Sequence, residues 1–324
     1  MTYTKSKTIS VEKIPVINVS PLRKGTSEEA RSVGMKIRKA AEEIGFFYIS
    51  DHGIPKELIN QAYNATKDFF KKPKYFKNKV KINSNHHGFL SIGQSKMEGA
   101  KKEDLKESFV WGLDLPDDDT SDSEKNPFLG NNQWPEGMPQ LRESIYPYFE
   151  AGLKCGSEMM KAFALGMDLP EDSFLKTFDK PIARGSIIFY PPQTPDLLGD
   201  QFGVSPHTDY GCLTLLWQDH VGGLELKNIQ GDWVKALPIE DTLVVNVGDL
   251  LMRWTNNGFK STLHRVVNNN LKERYSMVIA WDPNFETVVD PSIACKKGEN
   301  PFYPPICCGD YVLSRFDSSF SYRN

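Results

Sequence analysis

Two histidines and one aspartate have the residue types and spacing of a metal site. His207 and Asp209 lie two positions apart in a stretch of apolar and β-branched residues that predicts a strand bounded by turns. Side chains alternate along a strand, so these two residues are expected to face the same way. His264, much further along the chain, is the best candidate for a third ligand. Two imidazoles and one carboxylate on one face of a metal suit non-haem Fe(II) with open positions for oxygen chemistry.

A second group of residues is suited to binding a carboxylate beside such a metal. Arg274 carries a guanidinium fork that matches a carboxylate bidentately. Ser276, two positions on, is expected on the same strand face, where it adds a hydroxyl donor. Tyr190 ends an apolar run and is a candidate donor to the other end of the same molecule. Together these residues predict an open iron site that takes a co-substrate with a carboxylate.

These residues and several shorter motifs resemble the isopenicillin N synthase-like branch of the Fe(II)/2-oxoglutarate-dependent dioxygenases. Each motif alone is weak, but they occur in order across roughly residues 14 to 282. Besides His207-Thr208-Asp209, the matching motifs are Ile14-Pro15-Val16-Ile17, Gly45-Phe46-Phe47, His52-Gly53-Ile54-Pro55, Lys106-Glu107-Ser108-Phe109, Tyr190-Pro191-Pro192, Gln218-Asp219, Gly222-Gly223-Leu224, Asn246-Val247-Gly248-Asp249, His264-Arg265-Val266 and Arg274-Tyr275-Ser276.

The family resemblance implies a fold, a set of site residues and a reaction. The fold would be mainly β with flanking α-helices, built on a double-stranded β-helix (jelly-roll) core. Decarboxylation of 2-oxoglutarate by O2, giving succinate and CO2, would drive oxidation of a C–H bond of a small metabolite of secondary metabolism, with ascorbate as a reductant. Hydroxylation, desaturation and oxidative cyclisation are all possible outcomes. The implied iron ligands are His207, Asp209 and His264, and the implied 2-oxoglutarate-binding residues are Arg274, Ser276 and Tyr190.

Position 188 departs from the family pattern. Many plant members have Asn two residues before the tyrosine, where this chain has Ile188. If Tyr190 faces the cavity, alternation puts Ile188 on the same side, as an apolar wall in place of a polar contact. The same alternation puts Ser186 and Arg184 there. Arg184 is then a candidate for binding a substrate carboxylate, with a surface salt bridge as the alternative. Phe285, just beyond the last predicted core strand, is a further pocket candidate.

The surrounding sequence divides into a helical and a β-rich part. A capping box at residues 26–29 opens one predicted helix. Apolar residues at helical spacing over 138–166 predict a longer one, which Pro147 either kinks or starts. From about residue 180, short apolar runs alternate with turn signals, which indicates an antiparallel sandwich or barrel. We divide the chain into an N-terminal helical and mixed region (1–175), the jelly-roll core (176–284) and a C-terminal tail packing on the core (285–324). The predicted core strands are 186–190, 213–217, 223–226, 232–237, 242–247, 261–267 and 275–281.

Composition and charge exclude several classes of protein. With 39% hydrophobic and 25% charged residues, the chain is neither disordered nor fibrous, and its net charge of -3 gives no reason to expect nucleic acid or a membrane surface as partner. Five cysteines without a C-x-x-C pair indicate a reducing compartment. The polar start is unlike a secretory signal, and no stretch is apolar enough for a membrane span. We therefore expect a cytoplasmic protein, acting as a monomer, and Arg184 favours a small, polar, amino-acid-derived substrate.

Two other functions remain open from the sequence. An iron-dependent oxidase of the same fold need not use 2-oxoglutarate, and Arg274 and Ser276 would then bind a substrate carboxylate. Tyr190 is compatible with either enzyme, but only the first would release succinate with each turnover. A non-catalytic jelly-roll binding protein is the third alternative, although such a protein has no need of the complete set of site residues. The remaining histidines are predicted not to bind metal: His52, His86, His87 and His220.

Overall fold

Strands and helices cover most of the chain in the computed structural model, which describes residues 14–114, 126–193, 201–268, 271–295 and 298–320. The strands in this part are β1 Val16–Asn18, β2 Phe46–Ser50, β3 Gly88–Leu90, β4 Glu107–Gly112, β5 Pro181–Tyr190, β6 Val204–His207, β7 Leu213–Gln218, β8 Leu224–Lys227, β9 Trp233–Lys235, β10 Thr242–Val247, β11 His264–Val266, β12 Arg274–Asn284, β13 Val288–Val289 and β14 Ile306–Cys307. The α-helices are α1 Pro21–Lys24, α2 Ser27–Glu43, α3 Lys56–Phe70, α4 Lys74–Lys77, α5 Pro139–Gly166, α6 Asp249–Trp254 and α7 Cys308–Ser319.

Two sheets form the β-core. The major sheet has eight strands in the order β1-β2-β10-β7-β12-β5-β4-β3, and the minor sheet has four in the order β6-β11-β8-β9. Neighbouring strands are antiparallel except β1 and β2, which are parallel. Side chains from both sheets line one cavity between them. This arrangement is the jelly-roll that the sequence predicts.

Helices cover the outer face of the major sheet. The predicted capping box is present at the start of α2, where Thr26 and Glu29 each bond the other's backbone N–H. Helix α5 runs through Pro147 without ending, so this proline lies inside the helix rather than at its start. Helices α2 and α5 cross at Gly34 and Gly166: a Cβ on Gly166 would lie 2.4 Å from the Gly34 carbonyl oxygen. Only glycine permits so close an approach of the two backbones.

The strand predictions agree with the structure in position, and most of them differ from it in length. The predicted strand 242–247 has the same bounds as β10, whereas 261–267 shortens to His264–Val266 and 275–281 extends to Arg274–Asn284. Strands β1 to β4 come from before residue 175 and complete the major sheet. The region 285–324 contributes β13, β14 and α7, and α7 lies against β12. In the described ranges, no helix has the length and apolar character needed to cross a membrane.

Candidate iron centre and its cavity

The three predicted metal ligands lie together at one end of the minor sheet. His207 ends β6 and His264 begins β11, and the two residues are cross-strand partners. The Nε2 atoms of His207 and His264 lie 3.6 and 3.7 Å from Oδ1 of Asp209. One ligand atom from each residue falls within 4.8 Å of the others, a spacing that a single metal ion can bridge. Asp209 itself lies just after β6 rather than on a strand. The prediction that strand alternation orients its side chain is therefore wrong.

Hydrogen bonds fix which nitrogen of each imidazole faces the centre. Nδ1 of His207 lies 2.8 Å from the Ser205 carbonyl oxygen, and Nδ1 of His264 lies 3.1 Å from that of Thr262. A carbonyl oxygen only accepts, so Nδ1 carries the proton in both residues. Nε2 of each imidazole therefore faces Asp209, the arrangement of metal-binding histidines whose other ring nitrogen donates to a carbonyl oxygen.

The local electrostatics keep His207 and Asp209 in their metal-binding forms. Burial and the neighbouring His264 lower the pKa of His207 to about 3, so its imidazole is neutral. Burial acts to raise the pKa of Asp209, but His264 and His207 outweigh it and the pKa falls to about 2. Oδ2 of Asp209 accepts hydrogen bonds from Thr214 at 2.6 Å and Asn246 at 2.7 Å. Oδ1 thus remains directed at the two imidazoles.

The loop that carries Asp209 is held against the start of α6. The Asp249 backbone N–H donates to the Asp209 carbonyl oxygen at 2.8 Å. A Cβ on Gly248 would lie 2.1 Å from the Gly211 carbonyl oxygen, so glycine is required for this approach. The Asp249 carboxylate accepts from Thr208, from Ser261 and from Tyr311 of α7. One buried carboxylate therefore ties the iron-site loop to the segment before His264 and to the C-terminal helix.

Arg274 and Ser276 are buried on β12 with unsatisfied hydrogen-bond donors. Both are fully buried, and Arg274 lines the same cavity as the three predicted ligands. Nη2 of Arg274 is 3.4 Å from Oε1 of Gln218, and the guanidinium lies 4.5 Å from the ring centre of Tyr190, its cross-strand partner. Among the described residues, Nε and Nη1 of Arg274 and Oγ of Ser276 have no hydrogen-bond partner. Unpaired buried donors are costly, so this end of the cavity fits a molecule that brings acceptor oxygens.

The cavity holds about 230 Å³ and is lined by alternate residues of β5, as strand alternation predicts. Arg184, Ser186, Ile188 and Tyr190 all lie on its wall. The expectation of a surface salt bridge for Arg184 is wrong: Nη2 bonds Oδ2 of Asp282 at 2.8 Å in a buried ion pair.

Phe285 does not line this cavity, and its assignment as a pocket residue is wrong. The residues of β12 that face the cavity have even numbers, and the chain turns just after the strand ends at Asn284. The ring of Phe285 instead packs on Gly309 at the start of α7, where an added Cβ would lie 2.3 Å from it.

Sequence reasoning missed the residues that close the cavity from outside the core strands. Phe316 of α7 and Phe320 just after it lie on the wall, packed against His86. Their helix is amphipathic, but no sequence signal says which core face it covers. Asp282 was also missed, although it shares the even-numbered face of β12 with Arg274.

Comparison with known proteins identifies the family. Residues 14–137 match the model for the non-haem dioxygenase N-terminal region (described as "in morphine synthesis"), and residues 183–283 match that for the 2OG-Fe(II) oxygenase superfamily. The chain is 32% identical to the 2-oxoglutarate-Fe(II) type oxidoreductase ppzC of Metarhizium rileyi, over 95% of this chain and 87% of that protein. It is 33% identical to hxnY of Emericella nidulans, which has the same description, over 94% of this chain and 90% of that one.

A solved structure agrees with this assignment. A full-length Neurospora crassa protein, crystallised in complex with alpha-KG and thymine, superposes with a TM-score of 0.82 at 28% identity, covering 94% of this chain and 96% of that one. The chain belongs to the 2OG-Fe(II) oxygenase superfamily. It is an Fe(II)- and 2-oxoglutarate-dependent oxygenase that acts on small-molecule metabolites.

Proposed function

We propose that His207, Asp209 and His264 bind the Fe(II) of this oxygenase. The support is geometric: Nε2 of each imidazole and Oδ1 of the carboxylate face a common point, while Nδ1 of each imidazole donates to a backbone carbonyl oxygen. Three ligands on one face leave adjacent positions open for a co-substrate and O2. His264 also packs edge-on against Phe46 at 5.1 Å between ring centres, which limits rotation of its imidazole.

Arg274 and Ser276 bind the distal carboxylate of 2-oxoglutarate in this proposal, and Tyr190 flanks it. The observation that carries the assignment is the set of unpaired buried donors on Arg274, which lines the cavity, and on Ser276, two residues further along β12. A carboxylate would pair with the guanidinium and accept from the hydroxyl. Bound iron and 2-oxoglutarate supply oxidising power by coupling O2 reduction to the release of succinate and CO2. The protein's part is to orient both molecules and to exclude water.

The substrate proposed here is a small, amino-acid-derived metabolite that is oxidised at a C–H bond. Its place is the part of the cavity between the ligands, Arg184 and the two phenylalanines at the C-terminal end of the described chain. The enzyme is proposed to act as a monomer in the cytoplasm, without nucleic acid. The five free thiols and the net charge of -3 support the compartment and the lack of a nucleic-acid partner.

Anaerobic titration tests the proposal directly. Fe(II) with 2-oxoglutarate should give a weak visible charge-transfer band, and turnover should release one succinate per product. Product formed without succinate would favour the 2-oxoglutarate-independent oxidase instead. His264→Ala should lose iron binding and activity together while the far-ultraviolet circular dichroism is unchanged. The control is His220→Ala, because His220 is exposed and outside the cavity. Normal iron occupancy and activity in His264→Ala would refute the ligand assignment.

A further inference from the structure

We propose that Arg184 and Ser186 form a recognition subsite for a neutral amide or lactam group of the substrate. The inference rests on the proposed function, because it places the subsite relative to the iron and 2-oxoglutarate positions. It also replaces the earlier expectation that Arg184 binds a substrate carboxylate. The relevant features are the incomplete hydrogen bonding of Arg184, its charge balance and its position in the sheet.

Arg184 is held rigidly but is not fully hydrogen-bonded. The residue is 9% exposed, and its guanidinium carbon lies 4.7 Å from the ring centre of Phe316 and 5.6 Å from that of Phe128. A guanidinium has five N–H donors. Within the described chain, Arg184 makes the single bond from Nη2 to Asp282, and its buried Nε has no partner. Because Arg184 lines the cavity, a ligand oxygen there would accept from a guanidinium that makes one hydrogen bond to the described chain.

The charge of Arg184 is already compensated. Asp282 is fully buried, and its Oδ1 accepts a second bond from the Cys212 backbone N–H at 2.6 Å. The pair is therefore neutral as a unit, in surroundings where a further charge is costly to bury. A substrate carboxylate would be repelled by Asp282, whereas a neutral carbonyl oxygen would accept an N–H without adding charge. This balance favours a carbonyl over a carboxylate.

Ser186 supplies the complementary group. It lies two positions from Arg184 on the same face of β5, roughly 6.6 Å away along the strand. A hydroxyl both donates and accepts, so it can accept from an N–H beside the carbonyl that Arg184 binds. The adjoining walls are apolar, formed by Leu90, Val110 and Phe320. A carbonyl and an N–H in one plane, flanked by apolar carbon, are the features of an amide or lactam.

The position of Arg184 separates this subsite from the 2-oxoglutarate end. Arg184 pairs with Ala280, which pairs with Thr214, the residue that donates to Asp209. Two strand spacings of roughly 5 Å place its Cα about 10 Å from that of Thr214. Along β12, Ala280 lies six residues from Arg274, or roughly 20 Å. A small substrate anchored at Arg184 therefore reaches the iron position without competing for Arg274.

Equilibrium binding of matched probes tests the subsite. The probes are small lactams and N-acetyl amino acid amides, each paired with the carboxylic acid of the same carbon skeleton. They are titrated calorimetrically into the anaerobic Fe(II) and 2-oxoglutarate complex. We expect amides to bind and their acids to bind at least about tenfold more weakly. Preferential binding of the acids, or no binding by any amide, would overturn the inference.

Variants then assign the binding to these residues. Arg184→Met should weaken the best amide by at least about tenfold, since a bond from a charged donor is lost. The matched control is Arg142→Met: Arg142 also pairs with an aspartate, Asp114, and lies 5.3 Å from the ring of Tyr146, but outside the cavity. Its amide affinity should stay within about twofold of wild type. Unchanged affinity in Arg184→Met would overturn the inference.

Two further variants distinguish a loss of amide binding from a folding defect in Arg184→Met. Arg184→Met leaves Asp282 buried without its partner, so the double variant with Asp282→Asn removes both charges and should show the same loss of amide affinity. Ser186→Ala should weaken the amide by about threefold to tenfold. Wild-type affinity for the amide in both the double variant and Ser186→Ala would also overturn the inference. Failure of the proposed function has a different signature: the wild-type protein would bind iron but give no charge-transfer band and no succinate, whatever the result with the amides.

Discussion

Thr214 Oγ1 donates a 2.6 Å hydrogen bond to Oδ2 of Asp209, and this bond decides which carboxylate oxygen faces the two imidazoles. Asn246 Nδ2 donates to the same oxygen at 2.7 Å. Thr214 and Asn246 are cross-strand partners on β7 and β10, so the central strands of the major sheet orient a ligand that itself lies in a loop. These two hydrogen bonds from the sheet therefore restrict rotation of the Asp209 carboxylate at the proposed iron position.

Thr214→Val should reduce the affinity for iron while leaving the shape of the side chain almost unchanged. The hydroxyl is replaced by a methyl group of similar size, and Oδ2 loses one of its two side-chain donors. Loss of such an outer hydrogen bond typically costs about 10- to 100-fold in metal affinity. Anaerobic Fe(II) titration measures it. Thr242→Val is the control, because Thr242 lies on β10 but donates to the Ile239 carbonyl oxygen away from the cavity. Equal affinities in the two variants would show that Thr214 does not position Asp209.

Arg274→Met should raise the dissociation constant of 2-oxoglutarate. A charge-assisted bond contributes about 1.5–3 kcal/mol, which corresponds to a factor of roughly 10 to 150. Arg274→Lys keeps the charge but loses the planar fork, so its loss should be intermediate. Titration of 2-oxoglutarate, followed by the charge-transfer band, gives both values. Wild-type affinity in Arg274→Met would remove the basis for placing the distal carboxylate here.

The sequence predicted the parts of the site that depend on local periodicity. Alternation along β5 placed Arg184, Ser186 and Ile188 on one wall with Tyr190, and the structure has them there. Recognition of short motifs grouped His264, on β11, with His207 and Asp209, and the structure has the three side chains together. Such motifs carry this information because each one corresponds to a fixed place in the jelly-roll.

Features that depend on long-range packing were not accessible from the sequence. Nothing in a linear pattern says that α7 folds back so that Phe316 reaches the cavity and contacts Arg184. Phe285 was misplaced because proximity in sequence to β12 was taken as proximity to the cavity, whereas the chain turns after Asn284. The pairing of Arg184 with Asp282 was missed for a related reason: cross-strand partners follow from strand register, which a single sequence does not fix.

Tyr311→Phe should loosen the C-terminal helix from the iron-site loop. Tyr311 Oη donates to Oδ2 of Asp249 at 3.2 Å, and the same carboxylate accepts from Thr208 beside the ligands. Removal of one hydrogen bond should lower the free energy of unfolding by about 1 kcal/mol. Backbone amides of α7 should also exchange faster with solvent. In the control Tyr303→Phe, the lost bond is to Asn257 near the surface, and exchange in α7 should not change. Unchanged exchange in both variants would contradict the link through Asp249.

Stability should fall in mild acid because His87 is buried as a neutral imidazole. Burial lowers the pKa of His87 to about 4, from a usual value near 6.5. Between these two values the unfolded chain takes up a proton at this residue that the folded chain excludes. The free energy of unfolding therefore decreases as the pH falls through this window. The contribution of His87 should be about 2 kcal/mol at about pH 5 relative to about pH 7.5.

Comparison with a variant isolates this contribution. Urea unfolding of His87→Asn at the two pH values should show a smaller loss of stability than wild type, by about that 2 kcal/mol. His220 is exposed, so His220→Asn should keep the wild-type difference. If His87→Asn retained the full pH dependence, protonation of other groups would have to account for it. Because His87 packs against Gly112 of β4, where an added Cβ would lie 2.6 Å from Nε2, its protonation would act on the strand next to the edge of the major sheet.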